Sequence, residues 1–188
     1  MHSVIVMQLR YAFRLYPDAV QQAALARAFG CARVVFNDAV RAREDARRDG
    51  RPFPTAGQLS RCLITEAKRT AERSWLGEVS AVVLQQSLRD ADAAYKNFFA
   101  SLKGTRKGPK LGAPRFKSRK DKRQSVRFTA NARWNITGGG RLSLPKIGAV
   151  KAEEGPAGAV PQADGIKEPG QGPPEGRPRP CEGGRCAS

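Results

Sequence analysis

The sequence predicts an α+β fold in which a helical segment interrupts a set of strands. Three observations carry that reading. Met7, Leu9, Tyr11, Phe13 and Leu15 alternate with Gln8, Arg10, Ala12 and Arg14, a period of two. From Leu84 to Leu102 the apolar residues instead step by threes and fours, the period of a helix. The period of two returns after Ser125. A lone strand is not stable, so the first strand is expected to join the later ones in one sheet or barrel.

The elements follow in order. The first alternating stretch reads as a half-buried strand over about Val4–Leu15, ended by Tyr16-Pro17-Asp18. Asp18 can cap a helix to about Ala28, which Gly30 breaks or kinks before a second helical stretch to about Arg48. Gly50 to Pro54 is a loop, and Thr55 can cap a third helix to about Arg73. Leu84, Leu88, Ala91, Tyr95, Phe98 and Leu102 form one stripe on a helix of about Ser80–Lys103, expected to pack on the earlier helices. Gln85, Gln86, Arg89 and Lys96 fall off that stripe and are left to meet a partner. Ser125–Thr129 can form a strand, Trp134–Leu144 a hairpin around Gly138-Gly139-Gly140, and Ile147–Val150 a further short strand. From Ala152 to Ser188 proline and glycine dominate, and Leu, Phe, Tyr and Trp are absent. That segment cannot bury enough apolar surface to fold and is expected to be a disordered tail.

Between the long helix and the later strands lies Lys103–Arg127. Lys103, Arg106, Lys107, Lys110, Arg115, Lys117, Arg119, Lys120, Lys122, Arg123 and Arg127 are basic, and only Asp121 opposes them. Such a run cannot be a buried core; it needs an anionic partner or water. Pro109, Pro114 and the glycines keep its first half out of a helix. Phe116 places an apolar ring among the cations, as in segments that stack on a base. A plain solvated loop is the competing reading.

Composition points the same way. The chain has 188 residues, 34 Lys plus Arg against 17 Asp plus Glu, and a formal charge of +17. A polyanionic partner is expected, nucleic acid before acidic membrane. No apolar run reaches the length of a membrane span and the start lacks a signal-peptide pattern, so the expected location is cytoplasmic. Cys31 and Cys62 read as reduced core residues. Cys181 and Cys186 form a single C-x4-C pair with no second pair to complete a zinc site, and the lone His2 has no catalytic role. No cofactor or metal is expected.

Short motifs then suggest a family. Arg14-Leu15-Tyr16-Pro17, Gln21, Gly30, Arg33 and Phe36-Asn37 resemble the opening of the TnpB (OrfB) proteins of bacterial insertion sequences. So do Trp75-Leu76-Gly77-Glu78-Val79, Leu84-Gln85-Gln86-Ser87-Leu88 and Ala94-Tyr95-Lys96-Asn97-Phe98-Phe99. Gly112-Ala113-Pro114-Arg115-Phe116-Lys117 looks like that family's G-x-P-x-F-K element, and Arg141 to Gly148 resembles its next strand. The likeness covers roughly residues 7 to 151, and the order and spacing of the motifs are specific.

The resemblance implies a wedge domain, an oligonucleotide-binding-like barrel, interrupted by a helical recognition domain. On that reading residues 1–16 are the first wedge strand, 17–104 the recognition helices, 105–151 the basic linker and wedge strands, and 152–188 the tail. Full-length members are RNA-guided DNA endonucleases, so the implied partners are a transposon-derived guide RNA and target DNA, with base pairing reading sequence and the protein reading backbone shape and a short flanking motif. The implied contacts are Lys107, Lys110, Arg115, Phe116, Lys117, Arg119, Lys120, Lys122 and Arg123. Ser80, Ala81 and Val82 join them at the start of the long helix, where Ser80 can act as N-cap and free amides can meet a phosphate. Gln85 follows, in the region that reads the flanking motif in such proteins; Gln86 is expected to be an ordinary surface residue.

A complete member continues into a RuvC nuclease domain with an Asp, Glu, Asp metal site and a four-cysteine zinc element. Here Glu153, Glu154, Asp164, Glu168, Glu175 and Glu182 follow Lys151 in no comparable context. The expectation is an incomplete, truncated or frameshifted copy that binds nucleic acid and has no catalytic site. The alternative is a stand-alone helix-turn-helix regulator built on the helices from Asp18 to Arg48, with Arg41, Arg43, Arg47 and Arg48 on phosphates. A ribosome-associated basic protein shares the charge but not the ordered motifs. A membrane-surface role lacks the apolar helix face it needs.

Overall fold

The structure, a computed structural model, describes residues 11–121 and 123–154. The stretch 4–10 of the expected first strand, Lys122, and the segment from 155 onward, with Cys181 and Cys186, lie outside the described residues. What is described is α+β: three α-helices, α1 (Ala19–Arg48), α2 (Ala56–Ser60) and α3 (Ala81–Leu102), and one antiparallel sheet of β1 (Phe13–Tyr16), β2 (Asn135–Thr137), β3 (Arg141–Leu144) and β4 (Gly148–Glu154).

The sheet order is β1-β4-β3-β2. Leu15 pairs with Ala152 and Tyr16 with Lys151, so the first strand does cross the helical segment to join the last. β1 and β2 are its two edges, and among the described residues it is open rather than closed into a barrel. Paired residues share a face. Leu15, Val150, Leu142 and Ile136 therefore line one face, and Tyr16, Lys151, Arg141 and Thr137 the other. Val150 is fully buried on the apolar face, while Ile136 at the edge remains exposed.

α1 starts at a capping box: Asp18 Oδ1 accepts from the Gln21 amide at 2.8 Å, and Gln21 Oε1 accepts from the Asp18 amide at 3.1 Å. Gly30 neither breaks nor kinks it; α1 is one helix of 30 residues. A helix-interior glycine costs about 1 kcal/mol. Here Ala28, Cys31, Ala32, Val35 and Phe36 bury one continuous stripe across that point and outweigh the cost. The helix ends at Gly50, whose positive φ lets the Arg51 amide reach back to the Ala46 carbonyl at 2.8 Å.

Thr55 caps α2 through a second capping box. The helix is shorter than expected: it passes through a π turn (Arg61–Glu66) and a 3-10 turn (Ala67–Arg69) and stops at Thr70, not Arg73. Cys62 points outward and is exposed, while Cys31 is buried, so only one of the two expected core cysteines is in the core. Burial raises the Cys31 thiol pKa above its ordinary value, and the nearby Glu78 charge adds to the shift.

α3 packs on α1. Leu84, Leu88, Ala91 and Tyr95 are buried as the stripe predicts, but Leu102, the last residue of α3, is exposed. The helical core gathers α1, α2, Ile64, Leu76 and α3, with Val126 and Phe128 against its edge. Ser125–Thr129 is no strand; it runs over that core as irregular chain before a 3-10 turn at Ala130–Ala132. Its apolar alternation reflects packing on helices rather than pairing in the sheet. β4 reaches Glu154, so Ala152, Glu153 and Glu154 belong to the sheet rather than to the expected tail.

Candidate nucleic-acid interface

The basic run is not a free loop. It leaves α3 at Lys103 through a turn in which Gly104 adopts a positive φ and Thr105 bonds back to the Ala100 carbonyl at 3.0 Å. It then crosses to α1 and is held there. The Asn37 carboxamide makes two hydrogen bonds to one residue: its Nδ2 donates to the Lys117 carbonyl at 3.1 Å, and its Oδ1 accepts from the Lys117 amide at 2.8 Å. One turn before it, Arg33 donates to Gln124 Oε1 at 3.2 Å. One turn after it, the Arg41 guanidinium sits 5.8 Å from the Phe116 ring centre. Gln124 also closes the loop on itself, donating to the carbonyls of Arg119 and Asp121. Asp121, the one acid in the run, accepts from the Arg123 amide at 2.9 Å.

This fixes the backbone and leaves the charged side chains exposed. Lys107, Lys110, Arg115, Lys117, Arg119, Lys120 and Arg123 are all exposed. Among the described residues, none of them lies within 4.0 Å of a carboxylate. Arg127 is the member of the run that is paired, to Asp90 at 2.7 Å. The Lys117 ammonium lies 4.1 Å from the Phe36 ring centre, a cation–π contact that keeps its charge unneutralised. Phe116 is 48% exposed, so it is not a plug in the core and one side of its ring is open.

At the start of α3, Ser80 is in the N-cap position and buried, but its hydroxyl makes no cap hydrogen bond. The expected side-chain cap is absent. Ala81 is exposed and Val82 half-buried. Gln85 is half-buried and donates to the Ser60 hydroxyl at 2.7 Å, which ties α3 to the end of α2. Gln86 is not a surface residue. It is 6% exposed and lines a small cavity beneath the basic loop with Arg33, Asp90, Lys117, Arg123 and Gln124. Its neighbour Ser87 bonds the Ala32 carbonyl, which draws this face of α3 against α1.

Not every arginine of α1 is available to a partner. Arg43 is buried and donates to Asp92 at 2.7 Å, with its guanidinium 4.8 Å from the Tyr95 ring centre. Burial pushes the Asp92 carboxyl up, but hydrogen bonds from Lys96 and Arg43 and their charges outweigh it, and the net shift is downward. Arg43 is thus a core residue, not a phosphate contact. Arg41, Arg47 and Arg48 remain exposed, Arg48 in ion pairs with Asp45 and Asp49.

Sequence reasoning missed the residues that hold the loop: Arg33, Asn37 and Gln124. For the two on α1 a signal was present, since Arg33 and Asn37 recur with Arg41 every four residues along a mostly apolar part of the helix. Such polar positions beside a core stripe call for a partner. Among the described residues, no three His, Cys, Asp or Glu are grouped to hold a metal ion, and no helix is long and apolar enough to cross a membrane.

Comparison with known proteins follows this geometry. Residues 7–51 match the helix-turn-helix domain of OrfB from the IS605 group. In the structure the described part of that segment is β1 and the single uninterrupted helix α1. The chain is 39% identical over 145 residues to a Streptomyces pristinaespiralis protein named "Putative RNA-guided DNA endonuclease", covering 76% of this chain and 33% of that one. It is 32% identical over 141 residues to "Putative RNA-guided DNA endonuclease InsQ" of Escherichia coli (strain K12), covering 75% of this chain and 32% of the relative. A Mycobacterium tuberculosis protein of the same description is 28% identical over 155 residues. The chain spans about a third of the length of these relatives. Over the three quarters of its length that they share, the chain belongs to the TnpB/OrfB family of insertion-sequence proteins.

Proposed function

We propose that this chain is a nucleic-acid-binding module of the TnpB type, which grips a guide RNA and the DNA beside its target. The observation that carries this is the basic loop: its backbone is anchored on α1 while seven described cations are exposed and have no carboxylate partner among the described residues. A pre-shaped row of unpaired cations is what a phosphate backbone needs, and it binds through release of counterions. Phe116, half-open beside Arg41, offers a stacking surface within that row. The polar sheet face adds Arg14 and Arg141, while Lys151 there is paired with Glu153 at 2.8 Å.

The sheet is, on this reading, part of an oligonucleotide-binding-like wedge, with β1 as its first strand and α1 to α3 as the inserted recognition helices. The start of α3, from Ser80 to Val82 with Gln85, is assigned to the flanking DNA motif. Gln85 is held by Ser60, so it is oriented before any DNA arrives. The names of the relatives support RNA and DNA as partners. The continuous α1 supports this module over a stand-alone regulator that reads DNA with two helices and a turn.

Gel shifts test the proposal with structured RNA and duplex DNA in parallel. RNA should bind more tightly, with a strong salt dependence. Changing Lys117, Arg119, Lys120 and Arg123 together to Ala should weaken binding across sequences, and each lost phosphate contact should flatten the dependence of log affinity on log salt by about 0.7 to 0.9. An unchanged slope would show that the loop is only solvated surface.

A further inference from the structure

We infer that Asn37 is the positioning residue of this interface: a helical carboxamide that locks the Lys117 peptide so that the cations around it stand in one fixed arrangement. The inference rests on the proposed nucleic-acid reading and adds to it how the loop is kept ready.

The geometry is a two-point grip on a single residue. Asn37 donates to the Lys117 carbonyl at 3.1 Å and accepts from its amide at 2.8 Å, eighty positions along the chain. A carboxamide can do this because it carries one donor and one acceptor side by side. Neither Asp, which has no donor, nor Leu of similar size, can replace it. The pairing copies the way one strand holds another, but from a helix side chain. It fixes the two peptide units that meet at the Lys117 α-carbon, and so the direction in which the chain leaves that residue.

Contacts on either side extend the grip. Arg33, Asn37 and Arg41 lie on one line of α1, spanning about 12 Å. They meet Gln124, Lys117 and Phe116 respectively. The loop from 116 to 124 is thus held at its two ends and in between, while Gln124 ties its interior carbonyls. All three of these α1 contacts fall on neutral loop groups, so the loop is held without neutralising its own cations. Arg33 adds a cation to the site while it clasps. A loop of this composition, left free, would spread under its own repulsion and would lose conformational entropy on binding. Holding it beforehand removes part of that loss.

The full chain tests this with two independent readouts. Hydrogen exchange at the Lys117 amide reports the clasp without any ligand. Binding of a labelled RNA hairpin across a salt series reports its consequence. Asn37→Ala should speed exchange at Lys117 by about tenfold or more, weaken hairpin binding by about ten- to thirtyfold, and flatten the salt slope although no charge is removed. The thermal transition should change little, because Asn37 is only half-buried. In a background with Lys117 and Arg119 already changed to Ala, Asn37→Ala should have little further effect on binding. Gln124→Ala opens the loop from its own side and should act in the same direction, which decides the matter if Asn37→Ala does not fold. Unchanged exchange in both variants overturns the clasp. Faster exchange with unchanged affinity and slope overturns the positioning role. A wild-type chain that binds neither the hairpin nor duplex DNA overturns the nucleic-acid reading instead, and the exchange rates then judge the clasp alone.

Discussion

Arg43 shows how far a single position can depart from its composition. It belongs to a chain with twice as many bases as acids, yet it is buried, bonded to Asp92 at 2.7 Å and stacked on Tyr95. Removing one partner of a buried pair strands the other, at about 3–5 kcal/mol. Asp92 is 28% exposed, so Asp92→Asn should cost near the low end, about 3 kcal/mol. Its folded carboxyl is held below the ordinary aspartate range. The stability it contributes is therefore complete above about pH 4 and is lost as pH falls through the lower folded value. Denaturant unfolding of wild type and Asp92→Asn should show their gap closing below about pH 4; a gap that widens there would contradict the assignment. Phe116 is the opposite case, an apolar ring left 48% exposed. Phe116→Ala should weaken RNA binding by about 1–3 kcal/mol and leave the melting temperature nearly unchanged. Reversal of those two effects, with stability lost and binding kept, would make the ring a structural contact.

Among the elements, α1 does three jobs along its 30 residues. Its first turn carries Gln21, whose side chain donates to the Ala149 carbonyl of β4 at 3.1 Å and so links helix to sheet. Its middle buries Val35, Ala39 and Val40 against α3. The adjacent line of Arg33, Asn37 and Arg41 carries the basic loop. Gly30 lies inside the helix, and a β-carbon there would meet nothing within 4 Å. Gly30→Ala should therefore stabilise the chain by about 0.5–1 kcal/mol, measured by thermal or denaturant unfolding. A loss of stability would show that the glycine is needed for a close contact in a bound state or in folding.

At the scale of the molecule, the buried apolar side chains of the described residues gather in two places. The larger lies among the helices. The smaller lies on one face of the sheet, around Val150 and Leu144. Placing a charge at Val150, which is fully buried, should disorder the sheet while the helical far-ultraviolet circular dichroism persists. The same change at Val35 should abolish the helical signal. Loss of both signals together from Val150→Asp would show that the two cores fold as one cooperative unit.

Periodicity and turn chemistry were enough to determine the long helices, the helix starts at Asp18 and Thr55, the hairpin at the glycine triplet, and the joining of the first strand to the later ones. These are local or follow from the need of a strand for a neighbour. The motifs from Arg14 to Gly148 were also enough to identify the family. The rest required the tertiary structure. Helix continuity through Gly30 was decided by burial on both sides of it, which no local propensity contains. The irregular path of 125–129 was decided by its packing on the helices. A charge count marks the basic run but cannot show whether it is held, because Asn37 and Lys117 are eighty residues apart and only folding brings them to 2.8 Å. The same holds for the two glutamines of α3: both are polar and adjacent, and the rotation of the helix alone turns Gln85 to Ser60 and Gln86 beneath the cations.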